Sequence, residues 1–596
     1  MHRPPVIHKT AADLRQPPNW TDYAGGRSAY SPAAARDALQ GLPGGGLNIG
    51  FEAVDRLAAT ALRDRTALRF VARNAPPLEL SYGELVRQTN RFANVLQGLG
   101  VSKGDRLFVL AGRIPELYVA VLGALKNGTV VTPMFSAFGP EPIATRINIG
   151  SGQVLVTTDR LYQRKVKPVR AQMPTLRHVL LVAEDGGSTD EPGTLDLATL
   201  LRDASDAFNT AATTADDPAL LHFTSGTTGE PKGAVHVHQA VVYHKESGKF
   251  ALNLKPQDVF WCTADPGWVT GTSYGIISPL CNGATLLIDG AEFNATRWYK
   301  ILEYFKVDVW YTAPTAMRML MKAGEELPQK YDLSHVRFAS SVGEPLNPEV
   351  IKWVRENLSI TLHDNWWQTE TGGIIIANDA NSDVKPGSMG KPLPGIEVAL
   401  IKNSSQDKIE FAQGEEQGEI AVRKGWPSMF TAYLENPQRY EKCFVQDWYL
   451  SGDLARQDEE GHYWFVGRKD DVIKTSGHLI GPFEVENILM DHPAVLESAV
   501  IGLPDPMIGE VIKAFVVLKK DLPPTEEQKL QILGHARRKL GAALAPREIQ
   551  FIENLPKTRS GKIMRRLLKA RELGMPEGDL STLEEDSGSR PNQITL

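Results

Sequence analysis

The chain has 596 residues, 42% hydrophobic and 23% charged, with a formal net charge of −6; that length calls for two to four domains or subdomains, and the negative balance excludes general nucleic-acid binding. Three cysteines, Cys262, Cys281 and Cys443, are too few and too scattered for a disulfide framework or a zinc site, and they fit a reducing cytoplasm. No apolar run approaches the ~18 residues that span a bilayer, and the opening MHRPPVIHKT lacks the apolar stretch of a secretion signal, so no membrane role is expected.

Residues 1–50 are rich in Pro, Gly and Ala with little periodicity, and are expected to wrap over the main domain rather than form one. Ser81 and Glu84 have capping-box spacing. Leu85, Phe92, Val95, Leu96 and Leu99 then mark one helical face, which Gly100 ends. RLFVLA (106–111) reads as a buried strand, IPELYVAVLGALKNG (114–128) as a helix closed by Gly128, and TVVTPMF (129–135) as another strand. The alternation recurs near 235–320 and 336–376, which predicts an α/β fold with largely parallel sheets flanked by helices. After about residue 385, Gly, Pro and short β-type runs such as GEIAVRKG (418–425) and GHYWFVG (461–467) point to a β-rich subdomain. Beyond it come a helix pattern in EVENILMDH (484–492), strands in SAVIGL and AFVVL, and a long polar helix over 525–541. The predicted division is a wrapping segment 1–50, a large N-terminal domain 51–469, a small α+β C-terminal domain 470–575, and an acidic, Ser-rich tail 576–596 expected to be disordered.

The most informative segment is LLHFTSGTTGEPKGAVHVH (220–238). A strand-type run ends at Phe223, and Thr224, Ser225, Gly226, Thr227, Thr228, Gly229, Glu230, Pro231, Lys232 and Gly233 follow. Glycines let backbone N–H groups turn toward an anion, hydroxyls add donors and Lys232 adds a charge, which is what a polyphosphate requires. The plain alternative is a flexible polar loop. It is not a Walker A loop, because Lys232 lies between Pro231 and Gly233.

TSGTTGEPKG resembles the signature of the adenylate-forming superfamily of acyl-CoA synthetases, peptide-synthetase adenylation domains and luciferases. Further motifs match in order: YTAPTAMRML (311–320), SVGEPLNPE (341–349), DNWWQTETGG (364–373), the run from YLSGDLARQ to GPFEVEN (449–487) and PKTRSGKIMRR (556–566). The resemblance covers nearly the whole chain beyond the first ~50 residues and is nearest to the acetyl-CoA synthetases and their short-chain relatives. It implies that a carboxylic acid, ATP and coenzyme A become acyl-CoA, AMP and pyrophosphate through an acyl-adenylate, with Mg²⁺ bound and the C-terminal domain mobile between two half-reactions. A propionate- or butyrate-preferring enzyme and a non-catalytic nucleotide-binding relative are the alternatives.

The resemblance also implies roles. Lys562 supplies the cation for adenylation; a lysine ~4 Å from an oxyanion contributes roughly 4 kcal/mol at an effective dielectric of ~20. Acylation of Lys562 would remove that charge. A basic, solvated helix facing water or nucleic acid (Lys557, Arg559, Lys562, Arg565, Arg566, Lys569) is the other reading of this stretch. Thr224, Ser225, Gly226, Thr227, Thr228 and Lys232 hold phosphates. Gly343, Glu344 and Pro345 line the adenine with Asp364, Asn365 and Trp366, and Gln368 joins the nucleotide site. Thr369 bonds the α-phosphate, Glu370 holds Mg²⁺, and Asp453 with Arg468 binds the ribose. Trp367 closes an acyl pocket completed by Val269, Thr270 and Val342, which favours acetate. Arg146, Ser476, Gly477 and Arg537 contact coenzyme A, and Asp470 is the hinge. One departure stands out: the family reads S-G-[HY]-R-[IL]-G where this chain has Leu479 in place of the Arg. His236 and His238 could share a strand face and bind a metal, but packing or hydrogen bonding is the preferred reading, and His492 is given little weight.

Overall fold

A computed structural model describes residues 4–10, 16–20, 22–73, 75–225, 231–405, 408–475, 478–520, 522–541, 544–558, 561–578, 580 and 583. By internal contacts the chain forms two compact units, Met1–Ser451 with Ala455–Phe465, and Gly452–Leu454 with Val466–Leu596. The tail from residue 584 onward lies outside the described residues.

The helix-forming signals read from the sequence operate as expected. Ser81 caps the helix Tyr82–Gly98 through a complete capping box with Glu84, and Gly100 follows with φ +73°. The strand Arg106–Leu110, the helix Pro115–Lys126 and the strand Val130–Met134 come next in chain order. The helix Pro115–Lys126 is buried almost throughout, because it is apolar on nearly every face.

Two largely parallel sheets organise the large unit. The first has eight strands, and its parallel core joins Val130–Met134, Arg106–Leu110, Val154–Thr158 and His178–Val182. On one side it is extended by Pro218–Ser225, parallel to Val130–Met134, and then by the antiparallel Pro231–Val237 and Ala432–Tyr433. The second has seven strands in the order Leu362–His363, Phe338–Ser341, Val309–Thr312, Val259–Cys262, Thr285–Asp289, Thr66–Val71 and Leu78–Ser81, parallel except for the last pair. A third, antiparallel sheet is drawn from the β-rich region between Asn365 and Arg468. The N-terminal residues lie on the large unit. Ile7 bridges to Val384, Asn19 Nδ2 donates to the Lys249 and Leu254 carbonyls, and Trp20 is buried against Phe250.

The C-terminal unit is α+β. In the long antiparallel pair Val495–Asp505 and Gly509–Leu518, the second strand takes on its other edge both Ile473–Thr475, itself paired with His478–Ile480, and the parallel Glu548–Phe551. The helices Pro482–Met490 and Glu526–Leu540 cover a core that includes Val485, Leu489, Val500, Ala514 and Ile532. The basic stretch near the C-terminus differs from the helical reading: Lys557 and Ile563 bridge across a tight turn, and the helix begins only at Arg565 and runs to Leu573.

Candidate active site

In open parallel sheets, ligands bind outside the carboxyl ends of the strands. The motif residues of the large unit gather there. Four adjacent strands of the seven-stranded sheet end at Cys262, Thr312, Ser341 and His363. The segments that leave them carry Val269 and Thr270, then Val342 to Pro345, then Asp364 to Trp367. Gly343 sits at φ +90°, in the left-handed region that favours glycine, with open space where a side chain would be. Glu344 is tied to Arg318 at 2.7 Å, while its Oε1 is buried with no hydrogen-bond partner among the described residues. Asp364 is buried, and desolvation holds its carboxyl well above the usual range, against the Asn365 N–H that donates to it at 2.9 Å. Asn365 Nδ2 donates to Ser340 Oγ at 2.8 Å and to the Ser341 carbonyl at 2.7 Å, joining the ends of two neighbouring strands.

The residues expected to line an acyl pocket sit on segments leaving the same strand ends. Trp367 is half-buried, and its Nε1 donates to Tyr311 Oη at 3.3 Å. Its ring meets Tyr274 edge-on at 5.1 Å. Tyr274 lies just beyond Thr270, on the turn Ser273–Ile277 that continues the helix Val269–Thr272. Val342 is buried in the apolar cluster against which Trp367 packs.

The turn Gln368–Gly373 is braced from several elements. Gln368 Nε2 donates to the Ser451 carbonyl and its Oε1 accepts from Tyr449. Trp426 Nε1 and Ser428 Oγ both donate to the Thr371 carbonyl. Gly372 has φ +66°, and a Cβ there would lie 2.2 Å from the Ser428 carbonyl, so only glycine fits. His244 Nε2 donates to the Gly372 carbonyl at 2.8 Å, and His236 Nδ1 to the Ser428 carbonyl at 3.0 Å. His238 Nδ1 accepts from the Ile49 N–H. Burial pushes His236 and His244 down to about 4 and His238 to about 3, so all three are neutral braces. Packing, the preferred reading for His236 and His238, is what the structure has.

The phosphate segment forms a hairpin in which Thr224 faces Lys232 across the Pro218–Ser225 and Pro231–Val237 pair. Gly226, Thr227 and Thr228 lie outside the described residues. Desolvation lowers the Lys232 ammonium, followed by repulsion from Arg439, while Glu370 pulls it up. The hairpin's outer neighbour Ala432–Tyr433 brings Tyr433 to the site, where its hydroxyl donates to Glu370 Oε1 at 2.7 Å. Among the described residues no group of three or more His, Cys, Asp and Glu could hold a metal. Glu370, a single carboxylate held by Tyr433, is of the kind that suits Mg²⁺, which usually binds through one or two carboxylates and takes its other ligands from phosphate and water. Thr369 lies half-buried in the same turn.

In the C-terminal unit, Arg468 Nη1 pairs with Asp453 at 2.9 Å. Lys562 is exposed at the turn that follows Thr558, where its N–H donates to Thr558 Oγ1 and its carbonyl accepts from the Thr558 N–H. The charges acting on its ammonium in this unit are Arg468, Asp453, Asp471 and Arg565. Asp470 is exposed in the turn closed by the Asp471 N–H on the Arg468 carbonyl. Arg537 is exposed in the last turn of Glu526–Leu540. Ser476 and Gly477 lie outside the described residues, and the Leu479 backbone pairs with Lys474. His492 Nδ1 accepts from the Ala494 N–H. Arg146 is the residue whose placement differs most from a surface cation. It is 3% exposed, with its guanidinium 4.2 Å from the Phe138 ring and bonded to the Pro142 carbonyl.

Sequence reasoning missed Tyr311, Tyr274, Tyr433, Trp426 and Ser428. YTAPTAMRML was noted as a motif, but nothing in its spacing marks Tyr311 as the partner of Trp367.

These residues carry the motifs of an enzyme that uses a nucleotide to activate an acid, and similarity to known proteins agrees. The chain belongs to the AMP-binding enzyme family, whose model matches residues 55–434; the model of the AMP-binding enzyme C-terminal domain matches residues 484–562. Two curated relatives are named acetyl-coenzyme A synthetase. The one from Bacillus subtilis (strain 168) is 46% identical over 91% of this chain and 93% of its own length. The one from Methanothrix thermoacetophila is 40% identical over 91% of this chain and 85% of its own length. Among solved structures, a Brucella canis acyl-CoA synthetase is 33% identical, with a TM-score of 0.73 over 93% of this chain and 99% of that one. An anthranilate CoA ligase in complex with anthranoyl-AMP is 28% identical, with a TM-score of 0.82 over 91% of this chain and 99% of that one. No described helix is long and apolar enough to cross a membrane.

Proposed function

We propose that this chain is an AMP-forming acetate–CoA ligase. Acetate attacks the α-phosphate of ATP, the bond from the α-phosphorus to the bridging oxygen breaks, and pyrophosphate leaves. The thiolate of coenzyme A then attacks the acyl carbon of acetyl-adenylate and AMP departs. Nucleophile and electrophile are both anionic in the first step, so the protein's task is cations and orientation. Thr224 to Thr228 and Lys232 cradle the phosphates. Glu370 would hold Mg²⁺, which would supply positive charge against the polyphosphate. Gly343 to Pro345 and Asp364 to Trp366 receive the adenine with Gln368 beside them, Thr369 bonds the α-phosphate, and Asp453 with Arg468 takes the ribose hydroxyls. Lys562 supplies the cation to the pentavalent α-phosphate, and a contribution of roughly 4 kcal/mol felt only in that transition state is nearly a thousandfold in rate.

The observation that carries this reading is the 46% identity to an acetyl-coenzyme A synthetase over nearly the full length of both chains. Its fit to this chain's residues is the indole of Trp367, held at the strand ends by Tyr274 and Tyr311 and packed on the apolar cluster that includes Val342. An indole wall excludes added methylenes at ~1–3 kcal/mol each, which favours acetate, then propionate. For the second half-reaction we assign Ser476, Gly477 and Arg537 to coenzyme A and Asp470 to the hinge about which the C-terminal unit turns; Arg146, buried against Phe138, is left out of that assignment. Three buried free cysteines accord with a cytoplasmic setting. Acylation of Lys562 would switch adenylation off.

The test separates the half-reactions. Lys562→Ala is expected to abolish ATP–pyrophosphate exchange while thioester formation from supplied acetyl-adenylate survives. Normal exchange in that variant removes Lys562 from the mechanism.

A further inference from the structure

Trp367 is fixed by two neighbours of different kinds. Tyr274 meets the indole edge-on at 5.1 Å and sets how far it can shift. Tyr274 is itself fully buried, accepting from the Ile374 N–H at 2.6 Å and sharing a hydrogen bond with Ser247 at 2.7 Å. A ring contact leaves the outer χ angle of a tryptophan loosely determined, because that torsion is broad. The second restraint is directional. Trp367 Nε1 donates to Tyr311 Oη at 3.3 Å, and Tyr311 Oη donates to Asn365 Oδ1 at 3.2 Å.

The chain of bonds ends on the sheet. Asn365 is anchored through Nδ2 to Ser340 and Ser341, and Tyr311 lies opposite Ser340 in the parallel register of Val309–Thr312 with Phe338–Ser341. Tyr311 is 0% exposed, and its ring packs edge-on against Tyr274 at 5.9 Å. Its hydroxyl is thus a rigid acceptor at a position the strand dictates, and the half-buried indole has its one N–H aimed at it. Burial raises the Tyr311 pKa well above the ordinary tyrosine value, so the hydroxyl keeps its proton and stays able to donate to Asn365 while accepting from Trp367.

We infer that Tyr311 is a specificity-determining positioning residue, whose hydroxyl fixes the roll of the Trp367 indole and thereby sets the longest acyl chain the pocket accepts. The inference rests on the reading of Trp367 as the pocket wall. Tyr311 touches neither nucleotide nor acid in this account; it acts through Trp367. Removing the hydroxyl leaves the ring packing intact and frees the indole to turn.

The test compares Tyr311→Phe, Trp367→Gly and the double variant. For each, kcat/KM is measured with acetate, propionate and butyrate, together with KM for ATP. A pocket wall discriminates about 10- to 200-fold per methylene, so a loosened wall is expected to lower the acetate-to-butyrate ratio roughly tenfold in Tyr311→Phe. Trp367→Gly should lower it further, the double variant should match Trp367→Gly, and KM for ATP should change by less than that ratio in each. A broadened profile in Trp367→Gly with an unchanged ratio in Tyr311→Phe overturns the inference and leaves the wall reading standing. An unchanged profile in both overturns the wall reading and the inference with it. A double variant that is additive shows Tyr311 acting by another route, which also overturns the inference. A spectroscopic readout stands apart from turnover. In enzyme labelled with ¹⁵N-tryptophan, the indole resonance missing from Trp367→Gly should move in Tyr311→Phe, and an unmoved resonance contradicts the hydrogen bond's role.

Discussion

At the scale of single residues, the groups named by motif spacing stand next to partners no spacing could reveal. Glu370 is the clearest case. Its carboxylate was legible from TETGG, but its orientation depends on Tyr433, which comes from an edge strand of a different sheet. Hydrogen bonds to charged groups are worth about 1.5–3 kcal/mol. Tyr433→Phe is therefore expected to raise the KM for MgATP by roughly tenfold or more, and steady-state titration of MgATP at saturating acetate checks it. The buried histidines give a second prediction, from their depressed values of about 4, 3 and 4. Folded, they are neutral; unfolded, they protonate below about 6.5. The unfolded state binds more protons in that window, so stability is full above it and is lost as pH falls from about 6.5 toward about 4, at up to ~1.4 kcal/mol per pH unit per histidine. Denaturant midpoints at pH 7.5 and 5.5 should differ, and His238→Asn should flatten that slope.

At the scale of elements, periodicity and caps made the helices and central strands readable, since both signals are local. The Ser81 capping box and the strand–helix–strand run over 106–134 are examples. The C-terminal basic stretch was not readable in this way, because its partners are distant in sequence. Lys557 pairs with Glu497 at 2.6 Å, Arg565 with Glu486 at 2.6 Å and Lys569 with Glu510 at 2.8 Å. A run of cations that suggested a solvated face is thereby sorted into clamps that hold the turn and its helix to the sheet, through Glu497 and Glu510, and to the helix Pro482–Met490, through Glu486, with Lys562 exposed between them. Glu486 is the anchor. It is 2% exposed, accepts twice from Arg565, and also accepts from the Val500 N–H. Breaking such a buried pair costs about 3 kcal/mol. Glu486→Gln should lower the unfolding midpoint of the C-terminal unit and cut ATP–pyrophosphate exchange more than thioester formation. Equal loss in both half-reactions would mean that the clamp does not serve Lys562.

At the scale of the whole molecule, the change from α/β to β-rich to α+β texture is composition-level information, and it predicted the fold class. The interdigitation at Gly452–Leu454, where the chain enters the second unit briefly and leaves it again, is invisible to composition. It puts Asp453 with Arg468 in the unit that carries Lys562. If one unit must serve two half-reactions, the turn holding Asp470 has to absorb backbone rotation. Asp470→Pro, which fixes φ there, is expected to leave one half-reaction near normal and abolish the other. The central claim is activation of a short acid by adenylation and its transfer to coenzyme A, with Trp367 limiting chain length. Coenzyme A-dependent AMP formation across straight-chain acids from two to six carbons tests it most directly. The highest kcat/KM is expected with acetate, a smaller value with propionate and a steep fall from butyrate onward. A maximum at butyrate or longer acids, or no coenzyme A-dependent AMP with any of them, would contradict it.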